Sequence, residues 1–176
     1  RNVTGVQTCA LPISAGSQPM VSESGRFVVV FNGEIYNHQK LRAELPGRAW
    51  RGHSDTETLL AAVEAWGLDS TLPRLVGMFA IALWDRESRV LSLSRDRFGE
   101  KPVYFGWQGG SFLFASELKA LESHPNWRPE VDRDALALYM RYGYVPQPRT
   151  IWRGIHKLLA GSTIKLRAPF ASSVAL

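Results

Sequence analysis

Two short groups of residues carry the side chains and backbone groups with which this sequence could do chemistry. Asn32, Gly33 and Glu34 follow a strongly apolar run, and Ser54 and Asp55 stand at the start of a segment with helical periodicity. An amide side chain beside a glycine N–H can stabilise an oxyanion on a bound carbonyl group. Two nearby carboxylates can hold the ammonium group of a substrate. Together the two groups have the chemistry to polarise a carbonyl and to bind an ammonium group.

The same residues also have an ordinary structural interpretation. Asn32-Gly33 after a strand is a turn signal. Ser54 is a typical helix N-cap, and Asp55 complements the dipole of the helix that it begins. Residue types alone leave both interpretations open.

Cys9 is the only cysteine of the chain, and a single cysteine is a candidate nucleophile. It excludes a disulfide framework and a cysteine zinc site. The sequence has no G-x-S-x-G elbow and no phosphate-binding P-loop. The histidines lack the spacing of metal ligands, so no metal site is predicted; they are His38, His53, His124 and His156.

Short apolar segments alternate with capped helical segments along the chain. The predicted strands are 27–31, 77–85, 90–94, 103–107 and 112–116. The predicted helix caps are Asn37, Ser54, Ser116 and Asp132, with Ser54 and Glu57 forming a capping box. Segment 77–85 is apolar on both faces and is expected to be covered on both sides. Short hairpin turns favour antiparallel sheets, packed on each other with helices outside.

Composition is ordinary for a globular domain. The chain has 176 residues, 45% of them hydrophobic and 21% charged, with a net charge of +5. No basic run accompanies that charge, so a generally basic surface is predicted rather than a nucleic-acid partner. No apolar run approaches the ~18 residues of a membrane span. We therefore predict one domain, no membrane partner and a cytoplasmic location.

Six sequence blocks occur in an order that resembles a known family. They are FNGEIYNH, HSDTETLL, GMFAIALWD, SRDRFGEKPVYFG, FASELKAL and YGYVPQPRTIWRGIHKL. From Gly16 to Leu166 the chain resembles the amino-terminal glutaminase domain of glutamine-hydrolysing asparagine synthetases, which are class II glutamine amidotransferases. The resemblance implies an α+β fold, a four-layer α-β-β-α sandwich of two antiparallel sheets of the N-terminal-nucleophile hydrolase type, here incomplete.

The resemblance also implies a mechanism and site residues. In the family, the first residue of the mature chain is a cysteine whose thiolate attacks the side-chain amide of glutamine, with its own α-amino group as base. Asn32 and the Gly33 N–H would form the oxyanion hole. Glu34 and Asp55 would bind glutamine, with Asp55 holding the α-ammonium group. For Arg95-Asp96 and the following residues we predict only a turn, fixed by an arginine–carboxylate pair.

Cys9 does not stand where the family keeps its nucleophile. VTGVQTCALPI, residues 3–13, matches the translation of a common sequencing adapter, so we expect residues 1–13 to be an artefact. The family arginine that binds the substrate carboxylate, in a motif like RLSIVD, is missing before AGSQP. We expect this fragment to be inactive because the nucleophilic N-terminal cysteine is absent.

The expected organisation follows from these comparisons of sequence blocks. After the artefact come a partial glutaminase domain at 14–125, its end and a lead-in to a synthetase domain at 126–166, and an unassigned tail at 167–176. The resemblance implies glutamine as substrate, no cofactor in this fragment, and ATP and Mg²⁺ in a missing carboxyl-terminal synthetase domain. It also implies a homodimer as one possible assembly of the parent. Two alternatives stay open: a related amidotransferase acting on another acid, such as a sugar or antibiotic precursor, and a non-catalytic basic binding module.

Overall fold

The computed structural model of the protein describes residues 16–170. The strands β1 to β8 are Met20–Val21, Phe27–Ile35, Gly77–Asp85, Val90–Arg95, Tyr104–Gln108, Ser111–Ala115, Ile155–Lys157 and Thr163–Arg167. The helices α1 to α5 are His38–Ala43, Asp55–Trp66, Leu68–Thr71, Leu118–Glu122 and Arg133–Tyr142, with a 3-10 turn at Leu72–Arg74. The predicted artefact at residues 1–13, which includes Cys9, lies outside the described part of the chain. Most of the unassigned tail at 167–176 does so too.

The strands form two sheets in which every neighbouring pair is antiparallel. The large sheet has the order β1-β2-β3-β4-β8, and the small sheet has the order β6-β5-β7. Segment 126–167 contributes one strand to each sheet, so it is an integral part of the sandwich. The prediction of two antiparallel sheets is confirmed.

One apolar core lies between the large sheet and α2. Phe79, Ile81 and Leu83 project from one face of β3 into this core, where they meet Leu59 and Val63 of α2. Each of these side chains is at most 5% exposed. Full burial of such a side chain contributes about 1.5–3 kcal/mol, so this core is a principal source of stability.

A second core lies between the two sheets. On the other face of β3, Ala80 packs with Leu93 of β4 and Phe105 of β5, and the half-buried Ala82 and Trp84 pack against the same cluster. Strand β3 is therefore covered on both sides, as its apolar faces predict.

A third core covers the outer face of the small sheet. Leu121 of α4 packs with Leu113 of β6, Ile155 of β7 and Trp127. Helices thus lie outside both sheets, and the order of layers is α-β-β-α. The four-layer prediction is confirmed.

Two of the predicted helix caps form as expected. Ser54 Oγ accepts a hydrogen bond from the Thr56 N–H at 3.1 Å at the start of α2. Asp132 Oδ1 accepts from the N–H groups of Asp134 and Ala135 at 2.9 and 3.2 Å at the start of α5. Each such cap satisfies backbone donors that have no partner within the helix.

Asn37 stands at the N-cap position of α1, as predicted, whereas the predicted cap Ser116 does not stand at that of α4. Neither side chain caps its helix, because both bond to distant segments instead. Asn37 stands before α1, but its amide donates to the Arg74 carbonyl and accepts from the Val76 N–H, both at 2.9 Å. Ser116 lies one residue before the cap position of α4, and its hydroxyl accepts from Asn32 Nδ2 at 3.0 Å. Both side chains therefore tie separate parts of the fold together.

The turn that begins at Asp96 is held by bonds from side chains to the backbone. Asp96 is 1% exposed, and its carboxylate accepts from the N–H groups of Phe79, Phe98, Glu100 and Lys101 at 3.0–3.3 Å. Burial alone would raise the pKa of Asp96, but these backbone N–H groups outweigh it and lower the pKa.

The neighbouring Arg95 also bonds mainly to backbone. Its guanidinium donates to the carbonyls of Lys101 and Leu158 at 2.8 and 2.6 Å, to the Gly99 carbonyl, and to Gln147 Oε1 at 2.9 Å. The predicted turn is present, but the predicted arginine–carboxylate pair is wrong as its cause. Backbone carbonyls accept hydrogen bonds from Arg95, and backbone N–H groups donate to Asp96, so each charged side chain is satisfied by the backbone.

Two glycines lie in close contact with the backbone of the neighbouring strand where β2 and β3 pair. A Cβ on Gly33 would lie 2.1 Å from the Met78 carbonyl oxygen, and a Cβ on Gly77 would lie 2.1 Å from the Glu34 carbonyl oxygen. The backbone φ of Gly33 is +154°. Only glycine fits this approach, which sets the path of β2 directly beside Asn32.

Replacing Gly33 with alanine is expected to lower the free energy of unfolding by about 2 kcal/mol, because the new Cβ would collide with backbone atoms of β3. Gly25→Ala is the matched control: Gly25 also has positive φ, at +76°, but no atom lies within 4 Å of its Cβ position. Urea unfolding of both variants checks this. Equal losses of stability would contradict the close-contact explanation.

Acid is expected to remove the stability contributed by Glu64 of α2. Burial alone would raise the pKa of this carboxyl, but hydrogen bonds from Ser24, Arg48 and Ser22 outweigh it and lower the pKa to about 2. A lowered pKa stabilises the fold above the ordinary value near 4.5, and this contribution is lost as pH falls from 4.5 toward 2. Thermal unfolding across that range measures it.

Glu64→Gln is the control for the acid prediction. The wild-type chain is expected to exceed this variant in stability at neutral pH, with the difference shrinking through the same range of pH. A difference that is constant between pH 5 and pH 2 would contradict the assignment.

Candidate active site

The end of β2 carries a row of backbone N–H groups that point away from β3. Successive N–H groups of a strand alternate in direction, so residues 31, 33 and 35 point the same way. The Phe31 N–H donates to Gln18 Oε1 at 2.6 Å, and the Ile35 N–H donates to Asp55 Oδ2 at 2.9 Å. The Gly33 N–H lies between these two bonds and points to the same open edge of the sheet.

The pairing with β3 leaves the Gly33 N–H unused. Gly33 is opposite Phe79 in the β2–β3 register. The backbone N–H and carbonyl of Phe79 are directed to Asp96, at 3.3 and 2.9 Å. The Gly33–Phe79 pair is therefore a non-hydrogen-bonded pair of the ladder, and the Gly33 N–H is directed outward as an oxyanion donor would be.

The Asn32 side chain projects toward the small sheet, from the face of β2 opposite to the one that packs on α2. Its Nδ2 donates to Ser116 Oγ at 3.0 Å, and this bond joins residues that are far apart in sequence. An amide nitrogen carries two hydrogens, and Ser116 uses one of them. Ser116 thus holds the amide in one orientation while a second hydrogen remains for a ligand.

The two acidic residues occupy different positions around this donor pair. Asp55 is half-buried at the first position of α2, where Oδ2 ties the helix start to the end of β2. Its other oxygen, Oδ1, has only a long contact of 3.5 Å from Thr56 Oγ1. Glu34 is exposed, and it projects from the same face of β2 as Asn32. All four predicted site residues therefore gather at the end of β2.

A largely covered arginine that sequence patterns did not single out fixes the segment before Asp55. Arg42 of α1 donates to the carbonyls of Gly52 and Ser54 at 2.8 and 2.9 Å, and to Thr58 Oγ1 at 2.7 Å. It also pairs with Glu57 at 3.3 Å. Helix α1 thereby holds the start of α2 in place.

Glu57 corrects the capping-box prediction. Its carboxylate accepts from the N–H groups of Arg51 and Gly52 at 2.7 and 3.1 Å, instead of returning to the helix start at Ser54. The loop before Asp55 is therefore closed by Glu57 and Arg42 together. Local sequence patterns do not reveal this arrangement, because Arg42 and Glu57 lie on different helices and are brought together only by the fold.

Other features of the described residues do not extend this site. Within residues 16–170, no three histidine, cysteine or acidic side chains cluster as metal ligands. A cavity of about 280 Å³ lies beside Arg48 and Glu64, and another of about 460 Å³ lies beside Arg149 and His156. No helix in the described part of the chain is long and apolar enough to cross a membrane.

Sequence comparisons agree with this arrangement. The family described as the glutamine amidotransferase domain matches residues 8–173. Asparagine synthetase (glutamine-hydrolysing) 1 of Bacillus subtilis is 37% identical over 159 residues, which are 89% of this chain and 25% of that protein. A Mycobacterium bovis protein provisionally named for the same activity is 42% identical over 149 residues, which are 81% of this chain and 23% of that protein. The chain thus spans about a quarter of the length of these relatives.

Solved structures show the same fold. Glutamine phosphoribosylpyrophosphate amidotransferase from Bacillus subtilis, complexed with ADP and GMP, superposes with a TM-score of 0.54 at 24% identity, over 65% of this chain and 28% of that chain. A structure titled as the allosteric regulatory enzyme of purine biosynthesis gives 0.53 at 25% identity, over 60% of this chain and 25% of that chain. With the family match covering nearly the whole sequence, the chain belongs to the glutamine amidotransferase family.

Proposed function

We propose that this chain forms the glutamine side of a glutamine-hydrolysing asparagine synthetase. The observation that carries the proposal is the outward Gly33 N–H at the open edge of β2, with the Asn32 amide held beside it by Ser116. Glutamine is hydrolysed to glutamate and ammonia, and the ammonia amidates aspartate that ATP has activated. The second reaction takes place in the part of the longer relatives that this chain does not span.

The proposed oxyanion hole acts on the side-chain carbonyl of glutamine. When a thiolate attacks this carbonyl, negative charge collects on its oxygen in the tetrahedral intermediate. The Gly33 N–H and the free hydrogen of Asn32 Nδ2 would donate to that oxygen. Both donors are fixed before substrate binds, one by the strand ladder and one by Ser116, so little reorganisation is needed during reaction.

Asp55 and Glu34 are proposed to bind the amino-acid end of glutamine. The α-ammonium group is best matched by Asp55 Oδ1, because Oδ2 is engaged by the Ile35 N–H. Glu34 lies exposed on the Asn32 face, where it can add a second acceptor. The carboxylates thereby orient the substrate so that its amide reaches the oxyanion donors.

The nucleophile in this proposal is an N-terminal cysteine thiolate. Its sulfur bonds to the amide carbon, and ammonia leaves with the proton that the α-amino group has taken from the thiol. Water then cleaves the thioester and releases glutamate. The nitrogen of Cys9 is part of a peptide bond, so Cys9 has no free α-amine to act as base. We therefore propose that Cys9 is not the nucleophile and that the chain alone is inactive.

Further partners are proposed for the whole protein. ATP and Mg²⁺ are proposed to bind to the synthetase part of the longer protein. A homodimer of that protein is proposed as its assembly. The relatives' greater length supports the presence of a synthetase domain in the parent.

Asn32→Ala is expected to lower kcat for glutamine hydrolysis by roughly 10²–10³, because it removes one oxyanion donor. The measurement uses a chimera in which residues 16–170 replace the matched segment of Bacillus subtilis asparagine synthetase 1, and it follows glutamate release. Asn126→Ala is the matched control, since Asn126 Nδ2 also donates to a serine hydroxyl, Ser111, at 2.9 Å. Comparable losses in both variants would refute the oxyanion role.

Cys9→Ala in this chain is expected to leave the rate of glutamate release unchanged, at the uncatalysed level, because Cys9 lacks an α-amine. Incubating both proteins with glutamine and quantifying glutamate checks the expectation. Release above the uncatalysed rate that Cys9→Ala abolishes would show that Cys9 is a nucleophile after all.

A further inference from the structure

Helix α5 presents apolar side chains to solvent along most of its length. Leu136, Tyr139 and Met140 are 42%, 49% and 77% exposed. Their spacing of three and four residues places them on one face of the helix, which we call the α5 face. Ala135 is the only buried residue of this helix.

Helix α5 is anchored at its amino-terminal end. Asp132 caps it, and Arg149 pairs with Asp132 and Asp134 at 3.4 and 3.7 Å. Its other end stops at Gly143 in a left-handed conformation. A helix of ten residues has little stability in water by itself. A surface packed against its apolar face would therefore add to the stability of this short helix.

The length of the relatives indicates what covers this face. The family match runs through α5 to residue 173, so the helix belongs to the shared domain. The same relatives are about four times as long as the matched segment. We propose that the α5 face is the docking surface for the synthetase part of the longer protein, an inference that rests on the proposed function.

The chemistry of the α5 face defines the surface that would fit it. Leu136 and Met140 require apolar contacts, whereas the Tyr139 hydroxyl requires a hydrogen-bond partner once it is buried. Tyr142 and Tyr144 extend the aromatic surface beyond the helix and are 50% and 62% exposed. The partner surface is therefore apolar and carries hydrogen-bonding groups for tyrosine hydroxyls.

A covalently linked domain fits this small face better than a second copy of the chain. A ten-residue helix is about 15 Å long, and one face of it supplies far less than the ~800 Å² per partner of a standard stable interface. A linked domain needs less area, because attachment raises its effective concentration. The α5 face is thus suited to contact within one polypeptide.

Hydrogen exchange tests the proposal on the chain alone and on the chimera described above. Amides of residues 133–144 are expected to exchange at least about tenfold more slowly in the chimera than in the isolated chain, because docking suppresses local opening of α5. Met140→Glu in the chimera is expected to restore fast exchange. Val76→Glu is the matched control, since Val76 is an exposed apolar residue away from α5 and 52% exposed.

Several results would overturn the assignment. The first is equal exchange of these amides in the isolated chain and in the chimera. The second is an equal effect of Met140→Glu and Val76→Glu on that exchange. The third is a chimera that does not fold under conditions in which its Bacillus subtilis parent does. Protection of α5 in a dimer of the isolated chain would assign the face to a second copy instead. Glutamate release by the same chimera separates the two proposals: protection without hydrolysis refutes the function alone, and hydrolysis without protection refutes the interface alone.

Discussion

The buried carboxylate of Asp96 determines the geometry on which the candidate site depends. By binding the Phe79 N–H and the start of the following turn, it fixes which backbone groups of β3 face β4. Strand alternation then leaves the opposite pair, at Gly33, without a ladder bond. The Asp96 carboxylate therefore extends, on the far side of β3, the same alternating pattern that leaves a donor N–H at the sheet edge. Because Asp96 is buried and fully engaged, this arrangement is costly to disturb.

The groups around Gly33 are positioned by side chains from four separate segments. Gln18 accepts a hydrogen bond from the Phe31 N–H, and Asp55 accepts one from the Ile35 N–H. The Ser116 hydroxyl accepts one from the Asn32 amide. Arg42 holds the loop before Asp55. Each of these bonds joins a side chain to a partner distant in sequence, so the site forms only when both sheets and α2 are in place. An oxyanion hole requires donors that are preorganised in this way before the substrate binds.

The sequence predicted most of the longer elements, but it did not predict the short strands β1, β7 and β8, and it ended β2 four residues too early. It also did not predict which side chains connect the elements. Periodicity and caps predicted β3, α2 and α5, because alternation and local hydrogen bonds are written in neighbouring residues. The resemblance to a family identified the residues at the end of β2. The partners of Asn37 and Ser116 were not predictable from the sequence. A polar side chain near a helix start can either accept a hydrogen bond from the first turn of that helix or bond to a residue far away in the chain. Packing of the two sheets decides between them.

The contrast between the site and α5 shows how unevenly this fold is stabilised. At the end of β2, the Phe31 N–H, the Ile35 N–H and the Asn32 amide each have a fixed side-chain partner. At α5, the side-chain hydrogen bonds and ion pairs lie at the first turn, and the rest of the helix presents apolar side chains to solvent. A rigid donor array needs such internal fixation to act on a developing charge. A surface that packs against another domain needs exposed apolar area instead, and its order is completed by that contact. The proposed catalytic groups and the proposed docking surface thus lie in parts of the fold that are stabilised in different ways.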